Sequence, residues 1–208
     1  MIPLHGLYAI TPEGPQHDLA DLVAKALWGG ARLIQYRDKG PDPSRRLTLA
    51  KTLGELCQAA GALFIVNDDP DLAAACGAHG VHLGRDDPDP AGARALLGPR
   101  AIIGVSCYNR LDLAHAAQAK GADYVAFGRF YPSGTKPLAV QANLDLLRQA
   151  RRELQLPLVA IGGITPDNAP SLIAAGADLL AVVNGVFAAP DVSAAARAFD
   201  NLFVQSGD

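Results

Sequence analysis

Short apolar segments alternate with longer helix-like stretches along the whole chain. Eight segments of about four or five residues are rich in Val, Ile, Leu and aromatic residues, which is typical of strands buried on both faces. These predicted strands are Leu7–Ile10, Leu33–Tyr36, Leu63–Val66, Gly80–Leu83, Ala101–Val105, Tyr124–Phe127, Leu158–Ile161 and Leu179–Val183. The stretches between them are rich in Ala and Leu at helical spacing, and examples are Asp18–Trp28, Pro43–Ala60, Leu111–Lys120 and Asn168–Ala175.

A glycine followed by an alanine ends several of the predicted helices. Glycine enters the left-handed conformation that terminates a helix without a Cβ clash. The pairs are Gly30-Ala31, Gly61-Ala62, Gly77-Ala78, Gly121-Ala122 and Gly176-Ala177. Proline is tolerated in the first turn of a helix, so Pro70, Pro90 and Pro166 indicate where three helices begin.

The alternation of strands and helices predicts a parallel sheet with helical crossovers, and eight such units predict a closed (β/α)8 barrel. The alternative is an open doubly wound sheet, which usually carries a glycine-rich fingerprint after its first strand. Here the first strand is followed by Thr11-Pro12-Glu13-Gly14, which is not that fingerprint. No linker or low-complexity segment divides the chain, so we expect residues 1–208 to form one catalytic domain.

Composition then narrows the class of protein. Half of the residues are apolar, which excludes a disordered chain, and the formal net charge of −3 argues against general binding to nucleic acid or to anionic membranes. No uninterrupted apolar run is long enough to predict a membrane-spanning helix, and the first residues lack the pattern of a signal peptide. Three cysteines without metal-binding spacing favour a reducing, cytoplasmic compartment.

Chemically useful side chains follow almost every predicted strand, where the loops of this barrel build the active site. Asp68 and Asp87 follow neighbouring strands, so their carboxylates could converge on Mg²⁺, which prefers hard oxygen ligands. The structural alternative is that Asp68 or Asp69 caps the helix near Pro70 and that Asp87 is a loop residue.

Cationic groups at the same rim predict an anionic ligand. Arg37 and Lys39 alternate along an extended segment and could both point inward, unless they are simply a solvated pair. The segment Ser133-Gly134-Thr135-Lys136 offers two hydroxyls and an ammonium but lacks the leading glycine of a P-loop.

Gly162-Gly163, before a helix expected near Thr165, together with Asn184-Gly185 after the eighth strand, match the usual phosphate site of this barrel. The alternative is that the glycines only permit a tight turn. His82 lies within a strand and is expected to be a hydrogen-bonded core histidine. No pattern supports a cysteine nucleophile, so the three cysteines are interpreted as structural.

Eight short motifs in chain order, one in nearly every unit, resemble the thiamine phosphate synthase family from Leu7 to Phe203. They are Gln35-Tyr-Arg-Asp-Lys39, Asn67-Asp-Asp69, Gly80-Val-His-Leu-Gly84 through Asp87, Gly104-Val-Ser106, Gly121-Ala-Asp-Tyr124, Ser133-Gly-Thr-Lys136, Ile161-Gly-Gly-Ile164 and Gly176-Ala-Asp178. The resemblance implies a transferase that joins 4-amino-5-hydroxymethyl-2-methylpyrimidine diphosphate to a carboxylated thiazole phosphate, releasing diphosphate and yielding thiamine phosphate.

The resemblance also implies residue roles. Gln35, Arg37, Lys39 and Asn67 would hold the pyrimidine diphosphate, Asp68 and Asp87 would bind Mg²⁺, and Ser106 and Lys136 would contact the diphosphate or the reacting region. Ser133 and Thr135 would touch the thiazole, whereas Gly163, Val183 and Asn184 would hold its phosphate through backbone N–H groups.

Three residues depart from the family's usual pattern: Arg85 replaces Gln, Ser133 replaces Thr and Asn184 replaces Ser. Rival functions are a thiazole tautomerase of the same fold, a phosphosugar isomerase or epimerase, and a non-catalytic sensor of thiamine precursors. The set of Arg37, Lys39, Asn67, Asp68 and Asp87 argues against the tautomerase, which would dispense with a diphosphate and metal end. Whether the chain forms a homo-oligomer stays open, because the outer helices of a barrel can be exposed or paired.

Overall fold

A computed structural model describes residues 4–14, 18–132 and 140–204 of the chain. In these ranges eight parallel strands follow one another around a closed ring, and the last strand pairs with the first. The strands are β1 Gly6–Ile10, β2 Leu33–Tyr36, β3 Leu63–Asn67, β4 Gly80–Leu83, β5 Ile102–Tyr108, β6 Tyr124–Gly128, β7 Leu158–Ile161 and β8 Leu179–Val182. The predicted (β/α)8 barrel is confirmed, and the open doubly wound sheet is excluded.

The helices surround this ring and connect its strands. They are α1 Leu19–Trp28, α2 Pro43–Ala59, α3 Pro70–Cys76, α4 Pro90–Leu97, α5 Leu111–Ala119, α6 Leu144–Glu153, α7 Ala169–Ala174, α8 Asn184–Phe187 and α9 Val192–Val204. None of the helices in the described ranges is long and apolar enough to cross a lipid bilayer.

The predicted strand bounds agree with the structure at both ends of β2, β4 and β7, whereas β5 is longer than predicted. Its pairing with β6 continues to Tyr108 through a register shift between Ser106 and Tyr108. The eighth strand ends one residue early, because Val183 leaves the sheet and precedes the short helix α8.

The glycine–alanine helix ends are confirmed. All five glycines have positive φ, and the N–H of each following alanine donates to a carbonyl five residues back, as Ala62 does to Cys57 at 2.8 Å. That bond is typical of a Schellman ending. Pro70 and Pro90 begin α3 and α4 as predicted, after the capping carboxylates of Asp69 and Asp89.

The expectation that a helix begins at Pro166, near Thr165, is wrong, since α7 begins at Ala169. The side-chain oxygen of Asn168 accepts a hydrogen bond from the backbone N–H of Thr165 at 2.9 Å, and the N–H of Asn168 donates to the carbonyl of Thr165 at 3.2 Å. This closed turn satisfies the local backbone and delays the helix by one turn.

Apolar side chains form two layers, one between the strands and the helices and one inside the barrel. The inner layer includes the rings of Tyr8 and Tyr124, and Gly104 makes room for the second of them. A Cβ on Gly104 would lie 1.9 Å from the ring carbon Cζ of Tyr124 on the neighbouring strand. The absence of a side chain on β5 therefore admits a polar aromatic ring to the barrel interior.

We expect Gly104→Ala to destabilise the protein by about 1–3 kcal/mol, because the new methyl group overpacks the interior against Tyr124. Urea denaturation followed by circular dichroism measures this change. Gly92→Ala in α4 is the matched control: its Cβ would lie 3.4 Å from the nearest atom, and alanine favours a helix by about 1 kcal/mol. Equal stability of the two variants would contradict the packing role of Gly104.

Candidate active site

A cleft of about 610 Å³ opens at the carboxyl ends of the strands. Every candidate residue in the described ranges lines it: Gln35, Arg37, Lys39, Asn67, Asp68, Asp87, Ser106, Gly163, Val183 and Asn184. The other three candidates, Ser133, Thr135 and Lys136, lie outside the described residues. The structure thus brings together side chains that are spread over about 150 residues of sequence.

The two aspartates that follow β3 have separate tasks. Asp69 caps α3, since its side chain accepts a hydrogen bond from the N–H of Leu72 at 2.9 Å. Asp68 has a φ of 63°, a left-handed conformation that is uncommon outside glycine and Asn or Asp residues. Its carboxylate lies in the cleft, 3.0 Å from the Nζ of Lys39. The capping alternative therefore holds for Asp69 and not for Asp68.

Asp87 lies beside Asp68 in the cleft, close enough for the two carboxyl groups to interact. Its Oδ2 also accepts from the N–H of Gly84 at 2.6 Å, which closes the turn after β4. Burial raises the pKa of Asp87, as does the neighbouring carboxylate of Asp68. Burial would raise the pKa of Asp68 too, but hydrogen bonds with Lys39 and Asp87 outweigh it and hold this pKa low. The two carboxyl groups therefore interact, and Asp87 is the one of the pair whose pKa is raised.

These two carboxylates fit a divalent cation that binds few protein ligands. Two hard oxygen donors that repel one another in the absence of a proton gain most from a cation placed between them. No set of three or more His, Cys, Asp or Glu side chains able to hold a metal occurs within the described ranges. The donor set therefore suits Mg²⁺ with waters and substrate phosphates, rather than an ion caged by protein alone.

Arg37 and Lys39 both line the cleft, as their alternation predicted. The guanidinium of Arg37 pairs with Glu13 at 2.5 Å, and its backbone N–H donates to the hydroxyl of Thr11. Asp38 instead forms an ion pair with Arg45. The extended segment after β2 therefore places two cations on the cleft wall.

Glycine is required where the loop after β7 passes the loop after β6. Gly163 has a φ of 65°, and a Cβ there would lie 2.3 Å from the carbonyl oxygen of Pro132. Gly163, Val183 and Asn184 line the same end of the cleft, where α8 begins. This end of the site presents backbone groups to a ligand, and Arg129, beside Gly162, also lines the cleft.

A chain of buried hydrogen bonds lies beneath the cleft and was not predicted from the sequence. The amide Nε2 of Gln35 donates to the hydroxyl of Tyr8 at 2.7 Å, and the hydroxyls of Tyr8 and Tyr124 are 2.7 Å apart. His82 continues the chain, with Nδ1 2.9 Å from the Tyr124 hydroxyl and Nε2 2.8 Å from the hydroxyl of Ser106.

His82 is hydrogen-bonded in the core, as expected, but it also lines the cleft. The two tyrosines were missed because a tyrosine within an apolar strand resembles any other core aromatic. Their inward-facing positions on β1 and β6 are the signal that could have identified them.

Arg85, which the sequence left without a role, also reaches the cleft. Its guanidinium carbon lies 4.8 Å from the centre of the Tyr108 ring, within the range of a cation–π contact. Tyr108 has a φ of 55° at the end of β5, and this conformation follows the register shift beside Ser106. Arginine in place of the usual glutamine at position 85 therefore adds a positive charge to the cleft wall near Asp87.

Comparison with known proteins gives consistent matches over nearly the whole chain. A family model described as thiamine monophosphate synthase matches residues 7–186. Proteins named thiamine-phosphate synthase from Thioalkalivibrio sulfidiphilus and Nitrosococcus oceani are 59% and 54% identical, and the matches cover 96% of this chain and 96% and 93% of theirs. The structure of a thiamine phosphate pyrophosphorylase from Pyrococcus furiosus superimposes with a TM-score of 0.88 at 35% identity, covering 99% of this chain and 98% of that one.

We expect Asp68→Asn to lower the pKa of Asp87 toward the ordinary carboxyl value, because the neighbouring negative charge that helps to raise it is removed. Titration of aspartate carboxyl carbons by ¹³C NMR in magnesium-free buffer measures the change. Asp21→Asn on α1, outside the cleft, is the control and should leave this pKa unaltered. An Asp87 pKa that is insensitive to Asp68→Asn would show that the two carboxyls do not interact.

Proposed function

The chain belongs to the thiamine monophosphate synthase family, and from this premise we propose how its residues carry out the reaction. The protein is a transferase that joins 4-amino-5-hydroxymethyl-2-methylpyrimidine diphosphate to the thiazole phosphate and yields thiamine phosphate. The bond from the pyrimidine methylene carbon to the diphosphate oxygen breaks, and a bond from the thiazole nitrogen to that carbon forms. When the thiazole is carboxylated, its carboxyl group leaves as CO₂ and the ring carbon takes up a proton in its place.

The observation that carries the assignment of roles is that the cleft is lined by charged side chains at one end and by glycine-rich backbone at the other. Arg37, Lys39, Asp68 and Asp87 lie at one end, and the backbone of Gly163 and the start of α8 lie at the other. Two phosphorylated substrates that react with each other need two such ends, held so that the reacting atoms meet. We assign the first end to the pyrimidine diphosphate and the second to the thiazole phosphate.

At the first end, Gln35 and Asn67 contact the pyrimidine, while Arg37 and Lys39 neutralise its diphosphate. Asp68 and Asp87 would hold Mg²⁺, which when bound supplies positive charge to the departing diphosphate. Lys39 already forms an ion pair with Asp68, so it is placed to turn from that carboxylate to the diphosphate. Each positioned charge of this kind typically contributes about 3 kcal/mol to the stability of the transition state.

At the second end, the backbone N–H groups of Gly163, Val183 and Asn184 bind the thiazole phosphate. Ser133 and Thr135 contact the thiazole, and Lys136, with Ser106, contacts the diphosphate or the reacting carbon. A backbone contact tolerates Asn184 in place of the family's serine, since it does not depend on the side chain.

We propose a dissociative route, in which diphosphate leaves before the thiazole nitrogen attacks. The 4-amino group of the pyrimidine can delocalise the charge on the methylene carbon, so no protein nucleophile is required. Apolar side chains of Ala126, Val159 and Ile161 line the cleft between its two ends. They would exclude water, which would otherwise capture the cation as an alcohol.

The thiazole tautomerase is the nearest alternative. It would need the phosphate end but neither a diphosphate-binding wall nor a metal pair. The convergence of Arg37, Lys39 and Asn67 with the two carboxylates on one wall supports the synthase over the tautomerase.

The finer expectations about the whole protein are part of this proposal. We propose that residues 1–208 act as one catalytic domain in the cytoplasm, without nucleic acid or a membrane as partner. The three cysteines are free thiols, which suits a reducing compartment. Burial raises the pKa of the Cys57 and Cys107 thiols to about 12, in agreement with a structural role. A homo-oligomer stays compatible with the exposed outer helices.

We expect the purified protein, given the pyrimidine diphosphate, the thiazole phosphate and Mg²⁺, to form thiamine phosphate and one equivalent of diphosphate. Chromatography detects the first product and a coupled phosphate assay the second. Comparison of the carboxylated and decarboxylated thiazole phosphates identifies the preferred partner. Tautomerase activity without thiamine phosphate would overturn the assignment.

We expect Asp87→Asn to lower turnover about a hundredfold and to raise the Mg²⁺ concentration needed for half-maximal rate, because one charged ligand is lost. Asparagine retains an oxygen that can accept from the N–H of Gly84, so the turn should survive. Asp89→Asn, which keeps the cap of α4 outside the cleft, is the matched control and should leave the rate unchanged. Normal Mg²⁺ dependence in Asp87→Asn would contradict a ligand role for Asp87.

A further inference from the structure

The hydrogen-bond chain from Gln35 to Ser106 has a direction that its members determine. Among the residues that the structure describes, the Tyr8 hydroxyl has two hydrogen-bond partners, Gln35 and Tyr124. Because it accepts from the Gln35 amide, its single proton is donated to the Tyr124 oxygen. With a neutral imidazole, the Tyr124 proton then goes to Nδ1 of His82, and the other ring nitrogen, Nε2, donates to Ser106.

This direction determines which donor or acceptor groups the two ends of the hydrogen-bond chain leave for a ligand. With one N–H of its Nε2 held by Tyr8, the Gln35 side chain has its carbonyl oxygen, an acceptor, and one further N–H left for a ligand. Ser106 accepts from His82, so its own proton is directed to another acceptor. The amide is anchored by a phenol that is itself fully buried, and burial raises the pKa of both tyrosines, which keeps them protonated as donors.

We propose that Tyr8 and Tyr124 are positioning residues that orient the Gln35 amide and thereby make the site select a pyrimidine with an amino group. This inference rests on the contact between Gln35 and the pyrimidine in the proposed function. The 4-amino group is the one N–H donor on that ring, whereas the ring nitrogens are acceptors. A 4-oxo pyrimidine would place a carbonyl against the carbonyl of Gln35 and leave two acceptors facing each other.

Tyr124 is the more informative of the two residues, because it does not line the cleft, whereas Tyr8 does. If Tyr124 is replaced by phenylalanine, the Tyr8 proton loses its acceptor and can turn to the oxygen of Gln35. The amide would then rotate and present its NH₂ group to the ligand. A residue that never touches the substrate would thus change which pyrimidine is bound.

The test is the ratio of dissociation constants for two non-reacting ligands, the 4-amino and 4-oxo forms of 5-hydroxymethyl-2-methylpyrimidine monophosphate, measured by calorimetry. We expect the wild type to favour the amino form, and Tyr8→Phe and Tyr124→Phe each to reduce this preference at least about fivefold. Tyr36→Phe is the matched control: its hydroxyl bonds to Asp38 on the outer face of the same strand as Gln35, and the ratio should not change.

An unchanged ratio in both tyrosine variants, or a wild type that binds the two forms equally, would overturn the inference. Because binding needs no turnover, this outcome is separable from the synthase assay: thiamine phosphate formed with an unchanged ratio refutes only the positioning role. If the wild type makes no thiamine phosphate but the tyrosine variants still reduce the preference for the amino form, only the synthase assignment is refuted.

A second measurement needs no tyrosine variant and therefore does not depend on the variants folding. Long-range ¹H–¹⁵N NMR spectra of histidine-labelled wild type report which ring nitrogen of His82 carries the proton, with the signal assigned by its loss in His82→Asn. We expect the proton on Nε2. A proton on Nδ1 alone would mean that the chain runs in the opposite direction and would overturn the proposal.

Discussion

Closure of the barrel is the constraint on which the rest of the structure depends. Residues Gly6 to Ala9 of β1 pair in parallel with Leu179 to Val182 of β8. The first strand is thereby hydrogen-bonded to the last, and the sheet closes. Since all strands are parallel, all of their carboxyl ends meet at one rim. A ligand bound there can touch residues from every unit, and no single motif needs to contain the whole site.

The second organising feature is electrostatic and local. The chain carries a net charge of −3, yet one wall of the cleft presents Arg37 and Lys39, with Arg85 over the Tyr108 ring nearby. Two carboxyl groups lie among these cations, and the charge of Asp68 helps to raise the pKa of Asp87. Lys39 forms an ion pair with Asp68 in this wall, so its charge is partly balanced there. The net charge argues against binding to long polyanions, whereas the local arrangement of cations suits small anions.

Periodicity and helix-ending glycines were sufficient to predict the strands and the barrel, because both follow from local backbone preferences. The site could be predicted only as a set of residues at one rim. Which of Asp68 and Asp69 caps the helix depended on the left-handed turn at Asp68, and that turn has no local signal. Nor could the start of α7 be predicted, since the Asn168 side chain forms a turn that competes with the helix.

The buried hydrogen-bond chain explains why a tight apolar core contains so many polar groups. Burying a hydroxyl, an amide or an imidazole without partners costs about 1–3 kcal/mol for each group, so such a set persists only when every member is satisfied. Gly104 keeps the space that the Tyr124 ring needs, and that ring carries the chain across the barrel from the β2 side to the β5 side. Packing inside the barrel therefore sets two orientations together, that of the Gln35 amide at one end and that of the Ser106 hydroxyl at the other. Selection of the pyrimidine then depends on the core as much as on the cleft surface.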